Sequence, residues 1–305
     1  MENLKLNHFE HKTLVVPEST LEMLNELGVP SFEKYRKAEQ TMIPPQFTLR
    51  ANMSAVQNQS FGGYCTAFCT NSNLEYIHNR IHLSESCTNH EAESRWGDCV
   101  EGLATVHAYQ ACKNVGIVPI TDWPYDASKA CWNPVPNTSG KPRYKFANFA
   151  NIYNRPSSLV VKNMIDIYNG DLLTIDSIPG NFVRLLKEAL LNWNVPASID
   201  VPVWWQSDGH FKAGWENGPN IFMPSAALLK TWLDYHKIST QEKKLKAMNP
   251  PNVSGWHCIS ICGYDDSQAR FIFKNSWGWW WGDAGYGTIP YDYITAFSRS
   301  GFIGK

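Results

Sequence analysis

The stretch that most constrains this chain runs from Gln57 to Cys69, Gln-Asn-Gln-Ser-Phe-Gly-Gly-Tyr-Cys-Thr-Ala-Phe-Cys. Gly62 and Gly63 let the backbone bend sharply, and a helical pattern begins at Cys65. Ala67, Phe68, Leu74, Ile77 and Ile81 recur largely on one face at three- and four-residue steps, which predicts a helix from Cys65 to about His82. A thiol at a helix N-terminus meets unpaired N–H groups and the positive end of the macrodipole. Both favour the thiolate, which is the nucleophilic form.

A nucleophilic cysteine needs a base, and the base needs an orienting group. Residues 253–264, Val-Ser-Gly-Trp-His-Cys-Ile-Ser-Ile-Cys-Gly-Tyr, read as a strand carrying His257. Residues 271–278, Phe-Ile-Phe-Lys-Asn-Ser-Trp-Gly, read as a second strand ending at Asn275. The polar turn at residues 265–268 suits a hairpin, which would set His257 beside Asn275. An asparagine there can hold an imidazole in one tautomer and orientation.

These segments resemble the papain-like cysteine proteases. The family motif Gln-x-x-x-Cys-Gly-x-Cys-Trp-Ala-Phe is matched by Gln59, Gly63, Cys65, Ala67 and Phe68. Gly255 and His257 match a Gly-x-His motif, and residues 274–278 match Lys-Asn-Ser-Trp-Gly. The Trp-Gly-Asp-x-Gly-Tyr run at 281–286 is also family-like, and the order Cys, His, Asn agrees. The resemblance covers roughly residues 43–295. Two departures stand in it: Gly62 replaces a family cysteine, and Thr66 replaces the tryptophan after the nucleophile.

The resemblance implies an α+β, papain-like two-lobe fold: a helical lobe over 43–142 carrying the nucleophile, and a β-rich, barrel-like lobe over 143–305 carrying His257 and Asn275. The active-site cleft would lie between them. It implies a cysteine endopeptidase acting through a thioester, with Cys65, His257 and Asn275 as the catalytic set. Gln59 and the Cys65 N–H would stabilise the oxyanion. Gly63, Gly102, Trp256 and Trp277 fall at substrate-binding positions, although Trp277 reads first as a shield for the His–Asn bond and Gly102 equally suits a helix start. The partner is a peptide or protein substrate, and no metal or organic cofactor is needed. The same residues could serve an amidase or acyltransferase, and the same fold a binding protein without catalysis.

A formal charge of −1 gives no reason to expect nucleic acid or an anionic membrane, and no apolar run is long enough for a transmembrane helix. The first residues lack an apolar signal-peptide core, so the eight cysteines are expected in a reducing compartment, cytoplasmic or similar. By resemblance at most one disulfide is expected, Cys87–Cys131, with Cys99 free. Cys87, His90 and Cys99 lack a fourth partner for zinc, and residues 84–100 read as a polar irregular loop.

Residues 1–42 form an N-terminal extension. A Ser19–Glu22 capping box predicts a helix over about 20–27, and Ser31 opens a second amphipathic stretch toward Gln40. The extension reads as a clamp on the domain rather than a short prosegment. It is shorter than family propeptides, which fits bacterial or viral relatives. Further on, the sequence predicts a helix over 101–115 stopped by Gly116, a crossover at 132–142 and a strand at 144–153. A helix from Phe182 to Trp193 and a strand over 195–203 follow. An insertion at 206–254 would carry a helix near 225–236 and a solvated basic run at 243–246.

Overall fold

The computed structural model describes residues 17–36, 42–97, 99, 102–129, 131–155, 182–204, 215, 218–224 and 253–305. The helix expected near 225–236 and the basic run at 243–246 lie outside the described residues. In chain order the elements are α1 (Leu21–Glu26), a 3-10 turn (Phe32–Tyr35), β1 (Gln46–Thr48), α2 (Cys65–Ile77), α3 (Glu85–Trp96) and α4 (Thr105–Asn114). Then come β2 (Phe149–Asn154), α5 (Phe182–Trp193), β3 (Ala197–Trp204), β4 (Val253–Asp265), β5 (Arg270–Lys274), β6 (Tyr286–Pro290), α6 (Tyr291–Phe297) and β7 (Ser300–Gly304).

The strands form one antiparallel sheet in the order β2-β7-β3-β4-β5-β6, with β1 added to β4. The barrel-like lobe expected from the sequence is therefore an open sheet among the described residues. Each edge is covered locally rather than closed on the other. Ser31 bridges to Asn151 on β2, and Asn220 bridges to Thr288 on β6. Unpaired edge N–H and C=O groups are satisfied this way without a barrel seam.

Two cores divide the molecule. α5 and the sheet enclose a large apolar cluster containing Leu186, Leu190, Ile199, Ile259, Phe273, Trp277 and Phe297. α2, α3 and α4 enclose a second one with Leu74, Leu83, Val106, Tyr109 and Trp123, into which β7 contributes Phe302. The segment at 17–36 joins both. Leu24 of α1 sits in the helical core. Phe32 is fully buried in the sheet core, edge-on to Trp193 at 5.8 Å, with Tyr35 on the same ring at 5.3 Å. The helix cap is Thr20, which accepts from the Met23 N–H; Ser19 instead accepts from Val106 N–H at 3.3 Å.

α2 stops at Ile77 rather than His82. Asn79 and Arg80 adopt left-handed φ values of 57° and 64°, and Arg80 N–H bonds back to the Glu75 carbonyl at 2.7 Å. Residues 85–96 are a helix, not the irregular loop expected. Ser84 caps it through the Cys87 N–H, and its buried face is polar: Glu85, Ser86, Thr88, Asn89, Glu91 and Glu93 all point inward. A polar buried face carries no apolar period, so the pattern is silent. The helix also changes the cysteine pairing. Cys87 turns into the helical core, while Cys99, beyond the helix end, bonds Cys131 with a Cα–Cα distance of 5.3 Å. The Cys87–Cys131 bridge does not form, and the other six cysteines are free and buried.

The seam between the lobes is polar. Glu75 of α2 accepts from Leu83 N–H at 2.8 Å and from the Ser54 hydroxyl, which also accepts from Lys274 Nζ at 2.8 Å. Glu85 adjoins them, with His82 Nε2 at 3.5 Å from its carboxylate. Burial outweighs the attraction of Lys274 and pushes the Glu75 carboxyl from its usual 4.5 up to about 7. His82 is raised too, chiefly by its bond to Glu85.

Two predictions follow from this architecture. Phe32→Ala should lower the unfolding free energy by about 3 kcal/mol or more, as for a fully buried aromatic; a loss under about 1 kcal/mol in urea titration would show that the segment at 17–36 does not clamp the sheet. The second concerns pH. Folded Glu75 holds a proton that the unfolded chain releases between about 4.5 and 7, so stability falls as pH rises across that window. Glu75→Gln should flatten this slope, and equal slopes in melting scans between pH 4.5 and 7.5 would assign it elsewhere.

Candidate active site

Cys65 is the first residue of α2, following Tyr64 at the cap. Gly62 allows this turn in a specific way: a Cβ there would stand 2.5 Å from the Tyr64 ring. The departure from the family cysteine thus makes room for Tyr64, which packs edge-on to Tyr125 at 6.0 Å, as Phe68 does at 4.8 Å.

His257 and Asn275 come together as the hairpin predicts. β4 and β5 pair with Ser260 opposite Lys274, and His257 Nε2 meets Asn275 Oδ1 at 2.8 Å. Asn275 Oδ1 also accepts from Ser276 N–H at 2.8 Å, which fixes the amide as an acceptor toward the imidazole. With Nε2–H given to Asn275, Nδ1 is the ring nitrogen left for proton exchange. Trp277 is fully buried and stacks on His257 at 4.7 Å with a 27° interplanar angle. It backs the imidazole rather than offering a substrate surface. Trp215 adds an edge-on contact to His257 at 6.1 Å.

Gln59 is pinned from four directions. Its N–H bonds the Ser276 carbonyl at 2.8 Å, and its carbonyl accepts from the Tyr125 hydroxyl at 2.7 Å. Its side-chain Oε1 accepts from Ser276 Oγ at 2.6 Å, and Nε2 donates to the Gly62 carbonyl at 2.9 Å. An amide carries two Nε2 hydrogens, and the bond to Gly62 uses one of them. Asn58 bridges Trp277 and Gly278 N–H bonds the Gln57 carbonyl at 3.0 Å, so the loop ahead of Cys65 is stitched to the strand end behind His257. Gly63 lies buried within that loop.

The thiol lies among Cys69, Cys258 and Trp256. It accepts from the Cys258 backbone N–H, yet burial pushes it up to about 12, with nearby Asp200 adding to the effect. Asp200 is itself buried, accepting from Thr105 Oγ1 at 2.7 Å and from Ser300. Arg299 lies 3.7 Å over the Trp256 ring, and Glu18 of the N-terminal segment adds to the charges acting on it. Gly102, at φ +102°, sits on the lead-in to α4, whose first residue Thr105 supports Asp200. In this conformation Cys65 has no exposed surface and carries its proton.

Three residues at the site carried no individual reading in the sequence. Ser276 was visible inside the Lys-Asn-Ser-Trp-Gly run, but its hold on Gln59 depends on a contact 217 residues apart. Trp215 sits in the insertion, and Asp200 in an otherwise apolar strand. As for metals, Cys87, His90 and Cys99 do not assemble: Cys99 is bridged and His90 Nδ1 accepts from Trp132 N–H at 3.1 Å. Glu75, His82 and Glu85 bring ligand atoms within 4.8 Å of one another, but Lys274 neutralises that group from within. No helix among the described residues is long and apolar enough to cross a membrane.

No protein-family model matches the chain. A mimivirus protein described as an uncharacterised peptidase C1-like protein, from Acanthamoeba polyphaga mimivirus, is 42% identical over 40 residues, a match spanning 13% of either chain. Solved structures are similar over nearly the whole length. Xylellain, a cysteine protease from Xylella fastidiosa, has a TM-score of 0.62 at 16% identity, covering 97% of this chain and 96% of its own. Procathepsin B from Trypanosoma congolense has 0.60 at 13%, covering 95% and 86%. The bromelain protease from Ananas comosus has 0.51 at 18%, covering 86% and 99%. The chain has the fold of the papain-like cysteine proteases.

Proposed function

We propose that this chain is a cysteine endopeptidase that cleaves peptide bonds through a thioester on Cys65. The observation that carries the reading is the 2.8 Å bond from His257 to Asn275, on a hairpin packed against the helix head that bears Cys65. A buried cysteine of structural role alone would need neither an oriented imidazole nor a pinned amide beside it.

The chemistry follows from the held groups. Asn275 keeps His257 in the tautomer whose Nδ1 can take the thiol proton. The thiolate attacks the substrate carbonyl, and the oxyanion receives the spare Gln59 Nε2–H and the Cys65 N–H at the start of α2. Protonated His257 gives its proton to the leaving amine, and water then resolves the thioester. Trp277, stacked on the ring, keeps water from the His–Asn bond. The closed state disfavours the thiolate because burial raises the thiol, so substrate entry must uncover Cys65 and let it pair with His257. Bromelain is known in complex with the E64 inhibitor, and an epoxide of that class is the matching probe here.

Cys65→Ala should leave less than about 1% of wild-type hydrolysis of a fluorogenic peptide, with the epoxide labelling Cys65 alone in the wild type. Residual turnover above that level, or labelling elsewhere, removes Cys65 from the role. Gln59→Ala should lower kcat by roughly 10²-fold with KM within a few-fold, as for one lost oxyanion donor. A change confined to KM would place Gln59 in substrate binding instead.

A further inference from the structure

The mechanism uses one thiol of a cluster of three. Cys69 lies one helical turn after Cys65 on α2, and Cys258 directly follows His257 on β4. The three sulfurs form a small buried cluster of their own between the lobes. Cys258 and Cys69 pack together in this cluster, and Cys69 Sγ donates to Ser198 Oγ at 3.2 Å. Cys65 takes the Cys258 backbone N–H, so the nucleophile also sits against this pair. A polar cavity of about 10 Å³ touches both Cys69 and Cys258 and is lined by Ser260, Glu75 and Lys274. That is space on the scale of a single water. Packing alone does not call for two further sulfurs at these positions.

We propose that Cys69 and Cys258 are a resolving dithiol for Cys65, an oxidation site at which hydrogen peroxide is reduced and the nucleophile is returned as a thiol. The proposal rests on Cys65 being the reactive thiol. The steps balance. The Cys65 thiolate attacks one peroxide oxygen and breaks the O–O bond; the released hydroxide takes a proton and leaves as water, and the sulfur becomes a sulfenic acid. Cys258, losing its proton, attacks that sulfur and expels its hydroxyl as a second water, forming Cys65–Cys258. Cys69, losing its proton, then attacks the Cys258 sulfur, and the Cys65 sulfur leaves and takes a proton. One peroxide and two thiols give one Cys69–Cys258 disulfide and two waters. The packing of Cys69 against Cys258 favours this last exchange, and the product ties α2 to β4 across the lobes. An unresolved sulfenic acid would proceed irreversibly to the sulfinic acid.

The full-length protein is treated with a small excess of hydrogen peroxide, its remaining thiols are alkylated, and the unreduced digest is mapped by mass spectrometry. The expected result is a Cys69–Cys258 linked peptide with Cys65 alkylated, and, in a parallel sample left unalkylated, activity retained because Cys65 has returned as a thiol. Cys258→Ala should instead accumulate sulfinic acid on Cys65, with a loss that dithiothreitol does not restore. The wild-type map decides the matter even if that variant folds poorly. A wild-type map with no linked peptide, with a different pairing, or with sulfinic Cys65 as the main product overturns the relay. If the epoxide probe still labels Cys65 in such a sample before oxidation, only the relay falls; if Cys65 is neither labelled nor oxidised, the peptidase reading falls with it.

Discussion

Everything at the site depends on how α2 meets β4. α2 is buried on nearly every side, and its inward groups include Asn71, Asn73 and Glu75. Burying such groups is costly unless each finds a partner. The partners come from the other elements. Asn73 donates to Tyr109 at 3.0 Å and to Ser198 at 2.9 Å and accepts from Ser260; Asn71 accepts from Thr88; Glu75 is held by Ser54 and Leu83. An apolar seam could slide by a turn with little loss, whereas this ladder has one register. The head of the helix, and with it Cys65, is placed opposite the one strand that carries His257.

This polar seam also decides what the sequence could and could not disclose. The pairing of His257 with Asn275 was legible because a hairpin between two apolar runs brings them together, and the start of α2 at Cys65 because two glycines precede an apolar period. α3 was invisible for the opposite reason: its buried face is made of Glu85, Thr88 and Asn89, and periodicity registers only apolar faces. Missing that helix also misplaced the disulfide, because only the helix turns Cys87 inward and carries the chain on to Cys99. The open sheet was likewise unreadable, since strand pairing across residues 149 to 304 leaves no local trace.

The same seam accounts for the protonated state of the Cys65 thiol. A helix N-terminus favours a thiolate by a fraction of a charge, but complete burial acts on the whole charge, and Asp200 nearby adds repulsion. Burial wins, so the thiol is neutral until the site is uncovered. Reactivity is therefore set by access rather than by the helix end alone.

The segment at 17–36 limits how that access can arise. Leu24 is inserted in the helical core and Phe32 in the sheet core, with only the short run from Leu27 to Ser31 between their elements. Pro30 is bonded to β2 through Asn151 N–H at 3.0 Å, and Arg36 pairs with Glu188 of α5 at 2.8 Å. Parting the lobes would withdraw one of those buried side chains, at about 3 kcal/mol or more for an aromatic, and would also break the Asn73 and Glu75 ladder. Shifting the Trp256 and Arg299 side chains, which stack at 3.7 Å, withdraws neither Leu24 nor Phe32. The less costly opening moves the Trp256 ring off the thiol cluster, with the two lobes held in register throughout.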